Sequence, residues 1–272
     1  MTDFDIFYQA ARAWASGGQP DWLYPFPTLF LFLPFLAFPL PAAKVIWFGL
    51  SLAAVVAVFK RFSLLAVFYI PLLQCLFLGQ LDPIFLPVVA LPSGTGLALL
   101  TLKPQLVWLF LPIWVLTSTL PQDQGSAANR KQIVSFLAVS GLLWGLPLLL
   151  WPDYLIYWQS RDPAQAAYVS PSLWGGGYLH FGVILIIGGL FIIKAAHTPK
   201  EKWAAVTAVN PFLNIYNLVI LLPLTRGRTR LALIPLSWVV FWLTNQVGTA
   251  WPGLILTLAA LFGPYRKFNV NG

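Results

Sequence analysis

Val45–Phe59 reads VIWFGLSLAAVVAVF: fifteen residues without a charge, closed by Lys60-Arg61. Apolar side chains fill it continuously instead of alternating, so it reads as a buried or membrane-crossing helix and not as a barrel strand. The rest of the 272-residue chain follows this pattern. Apolar residues make up 59%, aromatic residues 16% and charged residues only 9%, against roughly 25% charged in an average soluble domain. A soluble globule of this size has too little polar surface to cover such a composition. The expected fold is therefore all-α, a polytopic transmembrane helical bundle. At ~20 residues per crossing there is room for about eight to ten spans, half-spans included.

Further apolar runs extend from Trp22 to Leu40, Ser63 to Leu78, Ile84 to Leu91, Leu97 to Leu116, Ile133 to Leu150, Val183 to Ile193, Trp203 to Leu224, Leu231 to Leu243 and Leu254 to Phe262. The expected organisation is an extracytoplasmic interfacial segment over 1–21, one transmembrane domain over 22–265 and a cytoplasmic tail over 266–272. The first residues lack the basic start and apolar centre of a cleavable signal peptide. Cys75 is the single cysteine, so neither a disulfide framework nor a cysteine metal site is expected.

Loop charge sets the orientation. Five loops, carrying Lys60/Arg61, Arg130/Lys131, Lys194/Lys200/Lys202, Arg226/Arg228/Arg230 and Arg266/Lys267, hold 12 basic residues against 2 acidic ones. They read as cytoplasmic, with Asp3, Asp5, Asp21, Asp82, Asp153 and Asp162 on the opposite face. The net charge of +8 then reflects this bias and not a nucleic-acid partner. A multi-pass protein of the cell (inner) membrane is expected, N-terminus outside and C-terminus inside.

The runs from Leu97 and from Trp203 are interrupted at Lys103-Pro104 and Asn210-Pro211. Proline removes a backbone donor and disfavours helix in the residue before it. Each run reads either as two half-spans breaking at a cavity, where irregular backbone is tolerated, or as a kinked helix.

Intramembrane charge is costly and marks function by default. Lys103 reads either as a point charge for a lipid-linked phosphate or as a lysine snorkelling to the headgroups. Residues 3–14 have helical period, with Phe7, Ala10, Ala11 and Trp14 on one face and Asp5, Tyr8, Gln9 and Arg12 on another. They suggest a helix lying on the membrane. Asp3 and Asp5 fall at its N-terminus, where the dipole favours their ionised form. Either is a candidate general base, and capping is the plainer use. Asp-x-Asp without further ligands supports a divalent metal only weakly, so no cofactor is expected. In the loop after Trp151, Arg161 and His180 are candidates for binding phosphate.

These features occur in an order that resembles a known family. Asp3-Phe4-Asp5-Ile6-Phe7-Tyr8-Gln9-Ala10-Ala11-Arg12 is similar to the Asp-Phe-x-x-Tyr-Tyr-x-Ala-Ala-Arg motif of glycosyltransferase family 87. Tyr24-Pro25-Phe26-Pro27, Pro39-Leu40-Pro41, Gly79-Gln80, Thr101-Leu102-Lys103-Pro104-Gln105, Ser170-Pro171-Ser172-Leu173 and Asn210-Pro211 with Tyr216 and Leu221-Leu222-Pro223 continue the resemblance. In that family a transmembrane helix usually precedes the first motif, and the usual Asn after Gly-Gln is represented here by Asp82.

The resemblance implies a GT-C fold and an inverting transfer of a sugar, mannose first, from a polyprenyl-phosphate donor to an extracytoplasmic lipid or glycan acceptor. Asp3 matches the family's catalytic aspartate, with Asp5 as the rival. Lys103, Arg161 and His180 would hold the donor phosphate. Tyr8, Arg12, Gln80, Asp82, Ser172, Asn210 and Tyr216 would line the substrate site. The competing readings are a lipid-linked-sugar flippase or transporter, and an inactive truncated homologue acting as a scaffold.

Overall fold

The computed structural model describes residues 2–18, 20, 26–90, 93–103, 106, 126–153, 205, 207, 214–225, 227–248 and 251–262. The chain is mostly helical, and no strand occurs among the described residues. In chain order the helices are α1 (Asp3–Ala15), α2 (Phe26–Leu29), α3 (Leu40–Phe59), α4 (Ser63–Ala66), α5 (Ile70–Leu78), α6 (Asp82–Ala90), α7 (Gly94–Leu100), α8 (Ser126–Leu150), α9 (Leu221–Leu224), α10 (Gly227–Val247) and α11 (Leu254–Phe262). Short 3-10 turns lie at Leu33–Ala37, Lys60–Phe62, Ile215–Ile220 and Trp251–Gly253.

Among the described residues, two helical segments are long and apolar enough to cross a membrane: Leu40–Ala66, which joins α3 to α4, and Arg130–Leu150 within α8. Most of their residues are not buried in the protein. Val45, Phe48, Leu50 and Val56 are exposed on α3, and Val134, Leu137, Leu142, Leu146 and Leu149 on α8. The helix of α10 likewise exposes Leu231, Trp238, Val239, Trp242 and Val247.

The run Trp22–Leu40 differs from a single span. From Phe26 onward it forms α2, a turn and the 3-10 segment, and the extended Pro39 separates it from α3. Pro27, Pro34 and Pro39 account for this, since each lacks the amide hydrogen that a continuous helix uses. The Ser63–Leu78 run is also divided, at Val67–Tyr69, with Pro71 in the first turn of α5. By contrast, the apolar runs at Val45 and Leu254 lie within single helices, and Pro41 and Lys44 are part of α3 rather than of a linker.

Packing pairs these elements, and the N-terminal helix rests on the Leu33–Ala37 turn, α2 and α3. α3 packs along α6, α7 along α8, α5 against Ile215–Ile220, and α10 against α11. Phe4 and Phe7 of α1 enter an aromatic cluster with Phe32, Phe35 and Trp47. The Phe7–Phe32 rings are 4.8 Å apart, the Phe32–Trp47 rings 5.0 Å and the Phe4–Trp47 rings 5.7 Å, within the range for favourable aromatic pairs. The indole of Trp47 donates to the Gly79 carbonyl at 3.1 Å, which ties the α5–α6 turn to the same cluster.

Candidate functional site

Three local structures aim side chains at one place. The first is the start of α1, which presents Asp3. The second is the α5–α6 turn. Gly79 ends α5 in a left-handed conformation (φ 71), the usual glycine stop, and Gln80 and Asp82 follow directly. A Cβ on Gly79 would meet Phe4 Cβ at 2.6 Å, so glycine is also what lets α1 approach this turn. The third is the end of α7. Beyond Leu100 the amides of Thr101, Leu102 and Lys103 each donate three residues back, at 3.0–3.1 Å, a tightening that releases the chain from the α-helix at Lys103. Thr28 donates to the Leu102 carbonyl and Trp144 to the Thr101 hydroxyl (2.9 Å). The Leu102 carbonyl and the Thr101 hydroxyl at this helix end are thereby supplied with side-chain partners.

At the centre, Lys103 and Asp82 form an ion pair with side chains 1% and 0% exposed. Lys103 Nζ also donates to Gln80 Oε1 at 3.3 Å and lies 5.3 Å from the centre of the Tyr216 ring. The amide of Gln80 is oriented by this contact: with its oxygen on the ammonium, its Nε2 donates to Asp3 Oδ2. Asn217 completes the group. Its Nδ2 donates to Asp82 Oδ1 at 2.7 Å, and its own oxygen accepts the Asn214 amide at 2.6 Å. An unbroken polar path thus runs from Asp3 through Gln80, Lys103 and Asp82 to Asn217. Burying charge this deeply is tolerated only when paired and hydrogen-bonded, and both conditions are met.

The two N-terminal aspartates have opposite environments. Burial raises the Asp3 carboxyl above its ordinary value, partly offset by the Gln80 hydrogen bond and the Lys103 charge. Burial also acts upward on Asp5, but Lys44 and Thr2 outweigh it and hold that carboxyl below the ordinary value. Asp5 Oδ1 is 2.6 Å from Lys44 Nζ. Its Oδ2 accepts the Thr2 amide at 2.6 Å and the Thr2 hydroxyl at 3.0 Å. Asp5 is therefore occupied in capping α1 and fastening it to α3.

Of the residues singled out from sequence, Asp3, Gln80, Asp82, Lys103 and Tyr216 come together. Asp5 sits beside them on α1 but turns to Lys44. Tyr8 is buried and donates to the Phe38 carbonyl at 2.9 Å, so it anchors α1 with the apolar face instead of joining the polar one. Arg12 is exposed at the other end of the helix. Lys103 does not snorkel: its head group meets Asp82 and not water. Arg161, Ser172, His180 and Asn210 lie outside the described residues. Asn217 was not singled out from sequence, although an amide inside the apolar run Ile215–Leu224 is the kind of signal that marks a buried polar partner. Among the described residues no group of three or more His, Cys, Asp or Glu side chains is placed to hold a metal.

Comparison with known protein families, with curated proteins and with solved structures returns no match to this chain.

Proposed function

We propose that this chain is a polytopic membrane glycosyltransferase of the inner membrane that takes a sugar, mannose first, from a polyprenyl-phosphate donor. The observation that carries the reading is convergence. Asp3, the Gln80–Asp82 turn, Lys103 and Tyr216 stand far apart in the chain, belong to the motifs of the resemblance, and form one contact network. The outward apolar faces of α3, α8 and α10 support a bundle surrounded by lipid.

Asp3 is the base in this proposal. Its carboxylate accepts the proton of an acceptor hydroxyl as that oxygen bonds to the anomeric carbon. The bond from that carbon to the phosphate oxygen breaks, and its electron pair leaves with the polyprenyl phosphate. Inversion follows from attack opposite the leaving group. Phosphate leaves without a general acid, unlike the alcohol of a glycoside. A raised carboxyl pKa makes Asp3 a stronger proton acceptor than Asp5.

Lys103 has a different part from the one expected of a lone cation. Asp82 already matches its charge, so it serves to orient Gln80 and through it Asp3. The donor phosphate then falls to groups such as Arg161 and His180. No cofactor enters this scheme, and the acceptor is an extracytoplasmic lipid or glycan.

The test is release of polyprenyl phosphate from a labelled polyprenyl-phosphate-mannose donor, in vesicles containing the full chain. Asp3→Asn is expected to lower the rate by about 10²- to 10⁴-fold, while Asp5→Asn retains most of it. Equal rates for Asp3→Asn and the parent would remove Asp3 as the base. The buried Lys103–Asp82 pair favours one alternative, a lipid-linked-sugar flippase, because paired intramembrane charges also mark transport paths. Donor that crosses the bilayer intact, without release of phosphate, would select that alternative.

A further inference from the structure

A second charged region lies at the far end of α3, about 24 Å along the helix from Lys44. There α3 gives way to the Lys60–Phe62 turn, entered through Lys60 with φ 50 and fastened by the Ser63 hydroxyl donating to the Lys60 carbonyl. Arg230, in the first turns of α10, spreads its guanidinium over Phe59 and Phe62, 5.5 and 5.3 Å from the ring centres. It also donates from Nε to the Thr225 carbonyl at 2.9 Å, and from Nη2 to the same oxygen. Arg230 is thus a strut that holds the start of α10 against the end of α3.

The two segments this strut joins carry like charges. Lys60, Arg61 and Arg228 are exposed on the two segments it joins, and no acidic residue occurs in 45–81 or in 225–247. Collecting cations costs free energy unless an anion is shared among them. Directly beside the charges, Val56, Leu64, Leu65 and Leu231 are exposed. The surface therefore passes from basic to aliphatic within about one helical turn, as does the lipid boundary between headgroup and acyl chain.

From this juxtaposition we infer that Lys60, Arg61 and Arg228, braced by Arg230, form a binding site for the phosphate of an anionic phospholipid, with Leu64, Leu65 and Leu231 covering its acyl chains. A free phosphate satisfies the cations but leaves those leucines uncovered. The site is separate from Asp3, and its occupancy does not depend on the transferase reading.

Native mass spectrometry of the full chain, released from nanodiscs of equal phosphatidylglycerol and phosphatidylcholine, tests this. The parent is expected to retain phosphatidylglycerol preferentially, and each charge removed by Lys60→Ala, Arg61→Ala or Arg228→Ala to lower that preference about fivefold. The charge-conserving pair Lys60→Arg and Arg61→Lys should preserve it, and added salt should weaken it in the parent. Equal retention of the two lipids by the parent, an undiminished preference in the triple alanine variant, or displacement of the lipid by inorganic phosphate at equal concentration would each overturn the assignment. Circular dichroism of the triple variant separates loss of the site from loss of fold.

Discussion

Among the described residues, two lysine–aspartate pairs lie near α1, and they make opposite use of the same chemistry. Lys44–Asp5 joins α1 to α3 at the surface, with the lysine side chain 40% exposed and the aspartate 11%. Lys103–Asp82 is closed off from solvent altogether. In the Lys44–Asp5 pair water reaches the lysine and screens it, so less is gained or lost by the meeting of the two charges. In the interior, desolvation is large and each charge is indispensable to the other. One pair is a fastening, while the other fixes the direction of an amide that reaches a candidate base.

Removing one member of the buried pair should have the largest effect. Lys103→Met leaves Asp82 charged and unmatched, and is expected to cost about 3–5 kcal/mol of folding stability, read by denaturant unfolding in micelles. Lys103→Met combined with Asp82→Leu should recover most of that loss, because an apolar pair of similar volume carries no desolvation cost. If the double variant is no more stable than the single one, the pair is not the unit described here. Next comes Asn217→Leu. It removes one donor from Asp82 and the acceptor of the Asn214 amide, for an expected loss of about 1–3 kcal/mol in the same measurement.

Lys44→Ala should have the smallest effect, about 0–1 kcal/mol and reduced further by salt. The pH dependence gives the two aspartates opposite signs. The lowered carboxyl of Asp5 contributes stability above its unfolded value, near 3.8, and loses it as pH falls through its folded value. The raised carboxyl of Asp3 contributes below 3.8 and loses that contribution as pH rises through its folded value. Melting curves recorded from neutral pH downward should therefore show Asp5→Asn losing part of the acid sensitivity of the parent. Asp3→Asn should show no loss of stability at neutral pH, even as the proposed sugar transfer collapses. A marked loss there would recast Asp3 as a structural residue.

The helices were legible where charge or proline brackets a continuous apolar run. Val45–Phe59 and Leu254–Phe262 needed nothing more than composition. Proline also announces the break after α7, whereas apolarity alone does not reveal that Pro34 and Pro39 divide Trp22–Leu40 into short pieces. Asp3, Gln80, Asp82, Lys103 and Tyr216 could be named from their order in the chain. Their partnerships could not, because no local rule links Lys103 to Asp82 or Asp82 to Asn217. Hydrophobic periodicity likewise put Tyr8 on the polar face, since it scores the phenol as polar. Its hydroxyl finds the Phe38 carbonyl, and the ring is then free to be buried.

At Gly79, a single hydrogen atom acts as the spacer of the machine. Phe4 rests on it, Asp3 is the residue before Phe4, and Gln80 is the residue after Gly79. The distance between the Asp3 carboxylate and the Gln80 amide is thus calibrated by the thickness of a bare backbone. A methyl group there would work as a wedge against the first turn of α1. Asp3 would lose its link to Gln80, and the chain therefore carries a built-in point of disconnection between its N-terminal helix and its charged interior.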